Sequence, residues 1–188
     1  KEGMNFVCFL LLVCLFISCS SGRKVTASQV SFADNIVVAH RGAWKKNNLP
    51  ENSIASLKEA IRLKCSGTEF DVRMTADDSL IVNHDPHYNK LLIEQKTYDE
   101  LEKFKLSNGE KLPTLREYIL AGMENNTLTQ LVCEIKPSAT KERGKIIAEK
   151  VYQLINELNT QHMVGYISFD YDILKKLVEL NPQLSTQY

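Results

Sequence analysis

The chain has 188 residues, 23 Lys plus Arg against 23 Asp plus Glu, and 44% hydrophobic residues. Balanced charge gives no electrostatic case for a nucleic-acid partner, and the length and apolar content fit one globular domain. Only four histidines are present, so each is worth weighing.

Residues 6–17 (FVCFLLLVCLFI) form an almost unbroken apolar run. That is the length of a signal-peptide core and too short for a comfortable membrane span. The run leads into Ser18-Cys19-Ser20-Ser21, which looks like a bacterial lipoprotein signal with Cys19 as the lipidated first residue of the mature chain. Phe16 stands where leucine is usual and Lys1 is the only cation before the run, so an ordinary cleaved signal and an uncleaved anchor stay open. The reading is a signal peptide over residues 1–19, a small polar tether over 20–33 and one domain over 34–188. The protein is then exported to the cell envelope and held by a lipid anchor on the periplasmic or outer-membrane side. Cys65 and Cys133, the two cysteines outside the front end, do not make a disulfide framework.

Residues 35–39 (NIVVA) read as a strand buried on both faces, ending in His40-Arg41-Gly42. Pro50-Glu51-Asn52-Ser53 opens a helix that Asn52 or Ser53 can cap, and Gly67 stops it. Residues 67–75 (GTEFDVRMT) are a strand. Period-two alternation turns Glu69 and Asp71 to one face and Phe70 and Val72 to the other. Residues 80–83 (LIVN) form the next strand, closed by His84-Asp85-Pro86. Thr97 with Glu100 and Thr114 with Glu117 are capping boxes. A strand over residues 128–135 carries Glu134 at its end, just before Lys136, and a helix over 142–158 follows. Residues 164–169 form a fifth strand, Asp170 or Asp172 caps the next helix, and residues 184–188 begin a sixth strand.

Alternating strands and helices argue for βαβ units and a parallel sheet. No glycine-rich phosphate fingerprint follows the first strand, which counts against a dinucleotide site. Instead a polar group recurs at strand ends: His40, Asp71, His84, Glu134 with Lys136, and Asp170. That is the placement of a (β/α)8 TIM barrel, whose active sites are built at the C-terminal face. A full barrel takes about 250 residues, so about six of eight β/α units are expected here, with the last two beyond Tyr188. An open sheet is the alternative.

Glu69, Asp71 and Glu134 are three hard oxygen donors on two strand ends. Adjacent carboxylates are costly unless positive charge sits among them, and the set suits one divalent cation, Ca²⁺ or Mg²⁺. His40 and His84, each directly after a strand, suit an acid and a base flanking a phosphorus centre. Arg41 and Lys136 can hold phosphate oxygens. His87 and His162 lack such a setting and read as structural.

HRG (40–42), PEN (50–52), EFDVRMT (69–75), NHD (83–85) and CEIK (133–136), in this order and spacing, resemble the glycerophosphodiester phosphodiesterase family. The resemblance covers residue 35 to the end. It implies a TIM barrel that hydrolyses small-molecule glycerophosphodiesters to an alcohol and glycerol 3-phosphate with a divalent metal. By position it implies His40 and His84 as the acid–base pair and Glu69, Asp71 and Glu134 as metal ligands. It further implies Arg41 and Lys136 as substrate-phosphate contacts and Glu51 as a support for Arg41 or a nearby histidine. Two rivals stand beside it: a phospholipase of the phosphatidylinositol-cleaving or sphingomyelinase D kind on the same barrel, and a non-catalytic barrel lipoprotein.

Overall fold

The computed structural model describes residues 31–188; the expected signal peptide, Cys19 and residues 20–30 of the tether lie outside the described residues. In chain order the elements are β1 (Val38–Ala39), α1 (Ile54–Arg62), β2 (Gly67–Met74), β3 (Leu80–Val82), β4 (His87–Tyr88), β5 (Leu91–Leu92), α2 (Tyr98–Leu101), α3 (Leu115–Met123), β6 (Gln130–Ile135), α4 (Lys141–Glu157), β7 (Val164–Ile167), α5 (Tyr171–Leu180) and β8 (Thr186–Gln187). The sheet runs β1-β2-β6-β7-β8, with every neighbouring pair parallel. Helices separate most of these strands, as the barrel reading expects.

The helices start where local chemistry favours it. Ser53 caps α1, Thr97 and Thr114 close their capping boxes on Glu100 and Glu117, and the Asp170 side chain accepts from the Asp172 amide at the start of α5. One face of the sheet packs on the helices. Phe70, Val72, Leu131, Cys133 and Ile135 join Leu57, Tyr118, Ile119, Ile147, Val151, Ile173 and Leu177 in one buried cluster. Cys133 is thus a buried apolar side chain behind Glu134, as expected. The alternate positions, Glu69, Asp71 and Glu134, face the other way.

Two expectations need correction. The count of about six barrel units included residues 80–83, but β3 pairs antiparallel with the end of β2, Val72 opposite Val82 and Met74 opposite Leu80. Five parallel strands are present among the described residues. The reason is connection length: a parallel return needs a crossover of a dozen or more residues, whereas residues 75–79 form a tight turn. There the Ser79 amide donates to Thr75 Oγ1 at 2.9 Å and Asp78 takes φ 63°. His84 therefore reaches the mouth from a strand descending to it. The second correction concerns residues 35–39. Ile36, Val37 and Val38 are 99%, 54% and 51% exposed, because β1 is a two-residue strand with β2 on one side only among the described residues.

A second, smaller cluster lies over the mouth. Ile81, Ile93, Leu101 and Leu112 pack with Tyr88, Leu91 and Tyr98, beneath the β4–β5 pair and α2.

The turn after β1 decides where the first site residues go. Arg41 and Gly42 both take positive φ, 57° and 81°. The turn is pinned to the start of α1: the Asn52 amide and the Ser56 hydroxyl both donate to the Arg41 carbonyl, and the Ala43 amide donates to the Ser56 carbonyl. A Cβ on Gly42 would lie 2.4 Å from Ser56 Oγ and 2.7 Å from the Ser56 carbonyl carbon. Left-handed strain and overpacking then act together. Gly42→Ala is expected to cost about 2–4 kcal/mol in a denaturant titration; a loss below about 1 kcal/mol would show that the turn relaxes freely.

Candidate active site

The sheet register builds the centre of the site. Asp71 on β2 lies directly opposite Glu134 on β6, and Glu69 sits one inward-facing position before Asp71. Ligand atoms from Glu69, Asp71 and Glu134 all fall within 4.8 Å of one another, and all three residues are buried. Three carboxylates in so little space repel, and burial adds to the penalty on the charged form. The Glu69 carboxyl is pushed up to about 7, first by burial and then by Asp71 and Glu134, against the Arg41 amide that donates to it.

The neighbours answer that negative charge only in part. Lys136 Nζ lies 2.6 Å from Glu134 Oε1 and 3.3 Å from Asp71 Oδ1. The Arg41 amide donates to Glu69 Oε2 at 2.9 Å. Asn52 holds Asp71 from both sides: its Nδ2 donates to Asp71 Oδ2 at 2.8 Å, and its Oδ1 accepts from the Asp71 amide at 3.2 Å. Glu69 Oε1 and Asp71 Oδ1 are buried without a hydrogen bond. Glu69 Oε1, with no partner, and Asp71 Oδ1, with only the Lys136 ion pair, leave an all-oxygen donor set that fits a hard divalent cation, and the three acids would hold it.

His40, at the end of β1, places Nε2 3.7 Å from Glu69 Oε2, with its side chain 68% exposed. His84 follows Asn83, whose amide donates to the Asp71 carbonyl at 2.9 Å. His84 Nδ1 lies 2.8 Å from Asp85 Oδ1. The Arg41 guanidinium is gripped by both oxygens of Glu51 at 3.1 Å, and its Nε lies 3.8 Å from Asp71 Oδ2. Of the two partners expected for Glu51, Arg41 is the one it meets. All eight expected site residues within the described span therefore lie around one rim: His40, Arg41, Glu51, Glu69, Asp71, His84, Glu134 and Lys136. Asp170, also expected there from its place after a strand, turns its side chain to the α5 cap instead.

Residues 40–188 match the glycerophosphoryl diester phosphodiesterase family. The chain belongs to that family. A glycerophosphodiester phosphodiesterase of Caldanaerobacter subterraneus subsp. tengcongensis is 32% identical over 161 residues, 79% of this chain and 64% of the relative. The crystal structure of a glycerophosphodiester phosphodiesterase from Parabacteroides distasonis is 38% identical with a TM-score of 0.76, over 79% of this chain and 62% of that one. An Oleispira antarctica phosphodiesterase, solved with the product sn-glycerol-3-phosphate, shares the fold at 23% identity and a TM-score of 0.68, over 79% of this chain and 63% of that one. The chain thus spans under two thirds of the length of each of these three. Phosphodiesterases of this family are (β/α)8 barrels, and the parallel strands and helices described above belong to that architecture.

Three residues of this rim are not apparent from sequence. Of the two candidate caps, Asn52 and Ser53, Ser53 is the cap and Asn52 turns inward at φ 56°. The signal is an excess of capping residues: Asn52-Ser53 offers two where one is needed. Asp85 stands next to His84 in the NHD motif and needs only a turn to reach it. Glu94, from the segment over the mouth, accepts from Ser138 Oγ at 2.7 Å and the Ala139 amide at 3.3 Å, just beyond Lys136. No local pattern signals that long-range contact.

Glu69→Gln removes one of the repelling charges while keeping the shape. In metal-free protein at mildly alkaline pH it is expected to raise the thermal midpoint by several degrees, of the order that about 1–2 kcal/mol produces in a domain this size. An unchanged or lower midpoint would show that the carboxylates do not strain the fold.

Proposed function

We propose that this chain hydrolyses glycerophosphodiesters to an alcohol and glycerol 3-phosphate, with a divalent cation, Ca²⁺ or Mg²⁺, at Glu69, Asp71 and Glu134 and with His40 and His84 as the acid–base pair. The observation that carries this reading is the buried carboxylate cluster, with His40, Arg41 and Lys136 gathered on it. Family membership and the name of the Caldanaerobacter relative support the substrate class.

Each side chain then has a task. Arg41, held flat by the Glu51 carboxylate, offers its remaining donors to phosphate oxygens, and Lys136 adds a point charge beside them. A bound cation supplies further charge neutralisation to the phosphate as negative charge builds on it. One histidine takes the proton from the attacking oxygen as that oxygen bonds to phosphorus. The other delivers a proton to the alcohol oxygen as the P–O ester bond breaks. The attacking oxygen belongs to water or, by way of a cyclic phosphate that water later opens, to the substrate's own glycerol hydroxyl. Asp85 supports His84 by fixing its Nδ1, which leaves Nε2 for the reaction.

His40→Ala and His84→Ala are each expected to lower kcat on glycerophosphocholine at least about 10²-fold, with an unchanged circular-dichroism spectrum. Exhaustive chelation is expected to abolish turnover until Ca²⁺ or Mg²⁺ is restored. Near-wild-type turnover in the His84 variant, or in chelated enzyme, would sink the respective assignment.

We also propose export and attachment to the cell envelope through a lipid on Cys19, the support being the apolar run and the small residues around that cysteine. In a bacterial host fed labelled palmitate, the full chain is expected to take up label and Cys19→Ala to take up none. Equal labelling of both would refute the anchor.

A further inference from the structure

Arg73 lies on the same face of β2 as Glu69 and Asp71, by the two-residue alternation of the strand. It is the one residue of β2 that is not buried. One inward-facing position beyond Asp71 places it about 6–7 Å nearer the opening. Its Nε donates to the His84 carbonyl at 2.9 Å, which fixes the root of the guanidinium. Among the described residues its two terminal nitrogens make no hydrogen bond and no ion pair.

That is unexpected, because Arg73 sits in the field of Asp71, Glu94, Asp85 and Glu134. Each of those acids is engaged elsewhere: Asp71 by Asn52, Glu134 by Lys136, Asp85 by His84, and Glu94 by Ser138 and Ala139. Arg41 spends Nη1 on Glu51, and Lys136 lies on Glu134 and Asp71, so both are committed to the level of the acids, where the phosphate is proposed to bind. Arg73 is therefore a cation above the level of the acids, among the described residues, with a planar pair of donors open, the arrangement that suits bidentate capture of an anion.

The phosphate of a substrate belongs at the level of Asp71 and Glu134, below Arg73. Beyond that phosphate, glycerol carries no charge, so the alcohol moiety is the part of a glycerophosphodiester that can bring a second anion. Resting on the hydrolytic function above, we propose that Arg73 is a specificity-determining residue that binds a carboxylate on the substrate's alcohol moiety and makes anionic headgroups the favoured class.

Glycerophosphoserine and glycerophosphoethanolamine differ only by that carboxylate, so the ratio of their kcat/KM values isolates the contact. Loss of the support Arg73 gives to His84 lowers both rates together and cancels in the ratio. The full chain, loaded with Mg²⁺ or Ca²⁺, is expected to favour the serine diester at least about tenfold, the discrimination one charge-assisted pair supplies. Arg73→Gln is expected to bring the ratio to about one, and Arg73→Lys, which keeps the charge without the fork, to leave a smaller preference. A wild-type ratio at or below one, or a preference that survives Arg73→Gln, would overturn the assignment. Equal losses on both diesters would do the same and would mark Arg73 as a support for His84 or the phosphate alone. Failure of the wild type on both diesters would instead overturn the hydrolytic function on which the specificity rests.

Discussion

Three buried carboxylates within 4.8 Å of one another are the constraint around which the mouth of this sheet is arranged. A globular interior tolerates such a cluster only when charges and donors converge on it. Here they come from distant parts of the chain. The amide of Arg41 arrives from the turn after β1, the amide group of Asn52 from the start of α1, and the ammonium of Lys136 from the end of β6. The compensation is still incomplete, since Glu69 Oε1 and Asp71 Oδ1 keep no hydrogen bond. A fold selected only for stability has no use for that arrangement; a site that receives positive charge from outside does.

The same demand accounts for the unusual backbone nearby. Arg41, Gly42 and Asn52 all take positive φ within one short stretch. Each is a conformation an ordinary residue avoids. Together they bring an amide, a guanidinium and a carboxamide to the acids from a single loop. The two ends of the loop are tied by the Asn52 amide on the Arg41 carbonyl, so the inward-facing groups are held by the backbone as well as by side-chain packing.

What could be read in the sequence followed from periodicity and local chemistry. Alternation put Glu69 and Asp71 on one face of a strand, and the capping boxes at Thr97 and Thr114 marked two helix starts. The pairing of Asp71 with Glu134 could not be read, because register between strands about sixty residues apart is set by packing rather than by any local signal. The direction of β3 was in principle legible, because too few residues separate it from β2 for a crossover, but the apolar run itself, ending in a histidine, looks the same in either direction. Of the two candidate caps Asn52 and Ser53, Ser53 is the cap, and the inward role of Asn52 was hidden because helix capping and side-chain capture use the same residue types. The exposure of residues 36–38 was hidden by their composition, which is that of a buried strand.

The small cluster of Ile81, Ile93, Leu101 and Leu112 is separate from the main core. The cap it supports is therefore modular. Of its four buried residues only Ile81 belongs to the main sheet, as a member of β3, and the bonds that Glu94 accepts from Ser138 and Ala139 tie its border to the segment after β6. A scaffold of this kind can change the ceiling of its mouth while the floor, where the acids sit, stays as it is.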